Sequence, residues 1–134
     1  MKKRKNLCLA LLATTALAIL CGCGGVQSGP EKVARAYIEA IVAGDCDKAA
    51  GYMFPGTRDE ITRYCGSPIF MVVSARIDDV VVRKTDLYTY HVALMGSFEV
   101  YDWMFGASTS TYCSVMVEKL GGEYYTHGVS CAGP

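Results

Sequence analysis

Seven cysteines, two histidines and the adjacent aspartates Asp78 and Asp79 carry most of the chemistry available to this sequence. Cys46, Cys65, Cys113 and Cys131 are separated by 18, 47 and 17 residues. Zinc sites favour cysteine pairs two to four residues apart, so this spacing speaks against a metal. No C-x-x-C occurs, which removes the usual redox dithiol. His91 and His127 lie far apart in the chain. A general base needs a placed partner, and no motif in the sequence marks one for either histidine. Both read as structural. Asp78 and Asp79 would point to opposite faces of a strand. They read as solvated turn or bulge acids rather than a cation site. No glycine-rich phosphate loop and no nucleophile elbow is present. The expectation is therefore no catalytic set, no metal and no cofactor.

The amino terminus speaks to the compartment. Met1 is followed by Lys2, Lys3, Arg4 and Lys5, then by an apolar run from Leu7 to Cys21. That order matches the charged and apolar regions of a secretory signal. The run falls short of the ~20 apolar residues that span a bilayer. Its end, Leu20-Cys21-Gly22-Cys23, resembles a bacterial lipobox. Leu20 stands three before the cysteine and a small residue, Gly22, stands directly before it. Cys21 fits worse, because bulky Leu20 precedes it. The resemblance implies a diacylglycerol thioether on Cys23, which would become the mature N-terminus after cleavage. The rival is an ordinary secretory cut after Ala16-Leu17-Ala18. On the lipobox reading, residues 1–22 are the signal peptide, 23–29 a flexible tether and 30–134 the folded domain. Two acyl chains hold a membrane far more firmly than one. The expected location is the extracytoplasmic face of the cell membrane, lipid-anchored.

Composition agrees with a small exported domain. The 134 residues allow one domain. A hydrophobic content of 51% with 19% charged residues excludes disorder. Thirteen basic side chains balance 13 acidic ones. Losing Lys2, Lys3, Arg4 and Lys5 with the signal leaves 9 against 13, a net charge of −4. Such a domain is a poor partner for nucleic acid.

With Cys8 and Cys21 removed and Cys23 lipidated, four cysteines remain. An even number in an exported chain suggests two disulfides, with three possible pairings. Cys113 and Cys131 flank two strand-like runs around Gly121-Gly122, which reads as a hairpin turn. Centring the hairpin there sets Cys113 opposite Ser130. A bulge or a longer loop would bring it to Cys131. Cys46 and Cys65 would then pair across the helical half. Each loop of ~20 residues is worth about 3 kcal/mol in the chain-entropy model.

The elements that must position these residues follow from periodicity. Ser28 with Glu31 forms a capping box, and Pro30 suits a first turn. Val33, Tyr37, Ile38 and Ile41 recur at helical spacing up to Gly44. Asp45 can cap a second short helix through Met53, which Pro55-Gly56 breaks. Thr57 with Glu60 predicts another capping box and a third short helix to Gly66. After Pro68 the period becomes strand-like. Residues 70–83 are rich in Val and Ile, interrupted by Asp78-Asp79. Lys84-Thr85-Asp86 reads as a turn. Tyr88, Tyr90, Val92 and Leu94 share one face of the next strand. Helices first and a mainly antiparallel sheet afterwards make an α+β fold.

The run from Glu31-Lys32-Val33-Ala34-Arg35-Ala36-Tyr37 through Gly44-Asp45-Cys46 to Ala50 resembles the opening of a nuclear-transport-factor-two-like domain. That family belongs to the cystatin-like superfamily. The chain is similar in particular to small exported lipoproteins of Gram-positive, especially actinobacterial, lineages. The resemblance implies a long helix ending in Gly-Asp, short helices after it, and a curved sheet wrapped around the long helix as a cone. Enzymes of the superfamily use Asp, His or Tyr inside the cone. No matching residue set stands in this sequence.

One further segment is notable. As a strand, Phe98–Gly106 would set Tyr101, Trp103 and Phe105 on one face. Their apolar area either completes the core or forms an aromatic lip for a ligand or partner. The function expected is a membrane-anchored envelope lipoprotein with a non-catalytic domain. That domain would bind a small apolar ligand or a neighbouring envelope protein. A phage- or plasmid-borne surface exclusion lipoprotein and an isomerase- or dehydratase-like enzyme are the alternatives.

Overall fold

Helix α1 runs Gly29–Val42 in the computed structural model, which describes residues 29–132. The signal peptide, Cys23 and the Ser28 cap lie outside the described residues. The apolar stripe of α1 buries Ala34, Tyr37, Ile38, Ala40 and Ile41. Arg35 donates to Glu31 at 2.9 Å, one turn apart. The capping-box spacing of Ser28 with Glu31 makes Gly29 the first helical residue, and the helix begins there. Gly29, read as the last residue of the tether, is helical, and the Tyr124 ring lies where its Cβ would stand. Its role is close packing rather than flexibility.

Helix α2 (Cys46–Tyr52) is capped by Asp45, whose carboxylate accepts the Lys48 N–H at 3.1 Å. The next element departs from expectation. Pro55–Arg63 is a 3-10 helix with Phe54 at its N-cap and no side-chain cap bond. Thr57 does not form a box with Glu60. Its hydroxyl donates to the Phe54 carbonyl at 3.2 Å instead. Pro55 opens this helix rather than merely breaking α2, since its fixed φ and missing N–H suit a first turn.

Four long strands follow: β1 (Phe70–Lys84), β2 (Thr89–Asp102), β3 (Gly106–Leu120) and β4 (Glu123–Cys131). They form one antiparallel sheet in the order β1-β2-β3-β4. Asp78 falls at a register shift of β1 against β2, between Ile77 and Asp79. The Arg76 guanidinium meets its carboxylate at 3.1 and 3.2 Å. Inward residues alternate: Val92, Leu94, Phe98 and Val100 on β2, and Cys113, Val115 and Val117 on β3. Each large aliphatic side chain so buried contributes ~1.5–3 kcal/mol. Tyr88 is not in β2; it is an exposed turn residue. The helices pack against this sheet, and the architecture is α+β.

Gly121 and Gly122 form a two-residue turn with φ of 60° and 90°, as a primed hairpin turn demands. From there Leu120 pairs with Glu123 and Val117 with Thr126. The register then shifts by one residue at His127-Gly128, and Cys113 faces Cys131. The bulge thus supplies the missing step between Ser130 and Cys131. Disulfides join Cys113 to Cys131 and Cys46 to Cys65. Among the described residues, no helix is long and apolar enough to cross a membrane.

Candidate functional site

An open recess of about 560 Å³ lies where the end of the 3-10 helix, the start of β1 and the end of β4 meet. Arg63 and Tyr64 form one wall, Pro68, Ile69 and Phe70 the second, and Val129, Ser130 and Cys131 the third. Two covalent ties hold these walls. The Cys46–Cys65 bond pins the segment before Ser67 to α2, and Cys113–Cys131 pins the end of β4 to β3. The Ser67 hydroxyl accepts the Ile69 N–H at 3.1 Å and so turns the chain into β1. Gly128, at φ +118°, leaves room on β4 for the Tyr64 ring.

Tyr37 of α1 stands near Tyr64. Its ring is fully buried, and its hydroxyl has no hydrogen-bond partner among the described residues. Burial pushes its phenol well above the ordinary range, and the nearby Tyr64 phenol pushes in the same direction. Tyr37 therefore stays neutral at any physiological pH and can only donate or accept a neutral hydrogen bond.

The aromatic segment divides. Tyr101 remains in β2, between Met71 and Ala107, and alternates with buried Val100. Trp103, Met104 and Phe105 leave the strand and form the β2–β3 hairpin tip. The strand face expected for all three aromatics does not form. Asp102 prevents it, because its carboxylate accepts the N–H groups of Met104 and Phe105 at 2.8 and 3.3 Å and closes the turn. Trp103 is 61% exposed and Phe105 82%, so neither completes the core. The Trp103 N–H donates to the Ile69 carbonyl at 2.9 Å. That bond sets the tip beside the recess.

The histidines lie elsewhere. His91 pairs with Arg83 and Met116 across the sheet, on the face opposite buried Val92. His127 Nε2 lies 2.7 Å from Glu118 Oε2, and its ring stacks on Phe54 at 4.9 Å. Neither residue lines the recess. Among the described residues no group of three or more metal-ligating side chains occurs. No local spacing in the sequence marks the recess. Its walls come from segments some sixty residues apart, and only Gly128 inside a strand hints that another group approaches β4.

The helices packed on an open antiparallel sheet place this fold among known ones. It is similar to a ketosteroid isomerase-like protein from Erwinia carotovora atroseptica SCRI1043, with a TM-score of 0.52 and 17% identity over 79% of this chain and 95% of that one. An NTF-2 like protein of unknown function from Shewanella oneidensis MR-1 is also similar, with a TM-score of 0.44 and 11% identity over 75% and 93% of the two chains. A protein of unknown function with a cystatin-like fold from Nostoc punctiforme PCC 73102 gives 0.48 and 6% over 77% and 86%. At such identities the likeness is one of fold. No protein-family model and no curated protein matches the chain.

Proposed function

We propose that this protein is an extracytoplasmic lipoprotein, anchored through Cys23, whose domain binds a small apolar ligand without transforming it. The observation that supports the binding reading is the recess. Its volume of about 560 Å³ falls in the range of small-molecule sites. Its walls are largely apolar, with Thr62, Arg63, Tyr64, Ser67 and Ser130 as the residues that carry polar groups. The described lining holds no carboxylate and no imidazole, which favours binding over acid–base chemistry. An isomerase-like reaction would need such a pair, and His127–Glu118 lies outside the recess. A neighbouring envelope protein is the second reading, favoured by the exposed Trp103, Met104 and Phe105. The anchor rests on the lipobox of the sequence.

Two measurements test this. An anilinonaphthalene sulfonate dye should bind the protein saturably, one per chain. Ser130→Trp, which fills the recess from an exposed position, should weaken that binding at least tenfold while the melting temperature stays unchanged. Equal dye binding by both proteins would refute the recess. The intact mass of membrane-extracted protein should show diacylglycerol on an N-terminal Cys23. An unmodified chain starting after Ala18 would refute the anchor.

A further inference from the structure

We propose that the end of the domain bearing the β1–β2 and β3–β4 turns lies against the phospholipid headgroups, so that the recess opens away from the membrane; this rests on the anchor at Cys23. In an antiparallel meander those two turns sit at the same end of the sheet. The Lys119 N–H, donating to the Tyr88 carbonyl at 2.8 Å, ties them together. Gly29 is packed on Tyr124, just past the β3–β4 turn. The chain thus enters the domain at this same end. Five residues lie between Cys23 and Gly29, and the six Cα–Cα steps, fully extended, reach about 20 Å. An acyl anchor at Cys23 therefore keeps this end close to the bilayer.

The residues at this end suit an interface. Leu87 is 67% exposed, Tyr88 56% and Leu120 47%. They are accompanied by Arg83, Lys84 and Lys119, none of which forms an ion pair among the described residues. Lys84 and Lys119 lie over the rings of Tyr90 and Tyr124 at 5.9 and 5.4 Å. The ammonium groups stand over the rings, and the flexible stems let them swing out to phosphate while the apolar side chains enter the headgroup layer. The acids here are Asp86, Glu118 and Glu123, and Glu118 is held by His127 at 2.7 Å. Asp86 is engaged by its own turn, accepting the Tyr88 and Thr89 N–H groups at 2.9 Å. A bilayer rather than a protein partner is the occupant because the connection to Cys23 delivers this end to it.

The recess is built at the opposite end of β4, whose 9 residues span about 30 Å. Trp103 lies at that far end too, beside Ile69. It is the only tryptophan and a ready depth reporter. The full chain is expressed, the membrane-extracted protein is weighed, and it is reconstituted in phosphatidylglycerol vesicles doped with brominated lipid. Trp103 should keep nearly all its emission. In the double variant Trp103→Phe with Leu87→Trp, the new indole should lose more than half and shift to the blue. Leu120→Trp in the same background should repeat this, guarding against misfolding of one variant. Acylated protein whose Leu87→Trp and Leu120→Trp reporters stay unquenched overturns the orientation alone. So does quenching of Trp103 in their place. A mass lacking the acyl group removes the anchor, and the orientation falls with it.

Discussion

The ring of Tyr64 fills the space that a side chain on Gly128 would need. An ideal Cβ there would stand 2.5 Å from Cζ and 2.6 Å from the hydroxyl oxygen. The backbone at this bulge, φ +118°, also disfavours any other residue. Gly128→Ala should therefore destabilise by roughly 2–4 kcal/mol, from backbone strain plus overpacking. Urea denaturation measures it. In a Tyr64→Ala background the packing part should vanish and only the strain remain. Equal costs in both backgrounds would show that the ring does not press on this site.

Each disulfide closes a loop of similar length, with sequence separations of 19 and 18. Replacing either pair by serines should cost about 3 kcal/mol. The effects on the recess should differ. Cys131 lines it and Cys46 does not. Dye binding should drop further in Cys113→Ser/Cys131→Ser than in Cys46→Ser/Cys65→Ser at equal fraction folded. The opposite order would place the binding surface elsewhere.

Tyr37 carries a buried hydroxyl without a partner among the described residues. An unsatisfied buried group costs ~1–3 kcal/mol, so Tyr37→Phe should stabilise by about 1 kcal/mol. A loss of stability would mean the hydroxyl is engaged. The same residue sets an alkaline limit. Its folded phenol is raised far above the ordinary 10.0 by burial. Below about pH 10 both states hold the proton and nothing changes. Above it the unfolded chain ionises first, so stability falls as pH rises. Tyr37→Phe should flatten that decline.

Asp86 works in the other direction. The Tyr88 N–H, foremost, and Thr89 hold its carboxylate below the usual 3.8. The stabilisation of the β1–β2 turn is present above that value and is lost as pH falls through the lowered one. Asp86→Ala should speed amide exchange at Tyr88 and Thr89 at neutral pH while leaving Gly121 unchanged. Identical exchange in both proteins would show that the carboxylate does not hold the turn.

Much of the fold was legible because it is written in local chemistry. The stripe of Tyr37, Ile38 and Ile41, the Asp45 cap and the Gly121-Gly122 turn each depend on residues within a few positions. Centring on that turn carried Cys113 to within one residue of Cys131. Other signals misled for the same reason. Thr57 and Glu60 have capping-box spacing, yet Pro55 and the Phe54 carbonyl recruit the segment into a tighter helix. Trp103 and Phe105 alternate like a strand, but Asp102 folds them into a turn.

The sequence by itself determined the order of helices and strands and the inward faces, because periods of 3.6 and 2 are local properties. Only the tertiary structure decided the bulge at His127-Gly128, the His127–Glu118 pair and the recess beneath the hairpin tip. Each of these requires side chains distant along the chain to compete for one volume or one partner. Tyr64 can claim the space over Gly128 only after the sheet has brought β4 beneath it, and no spacing within a single segment records that meeting.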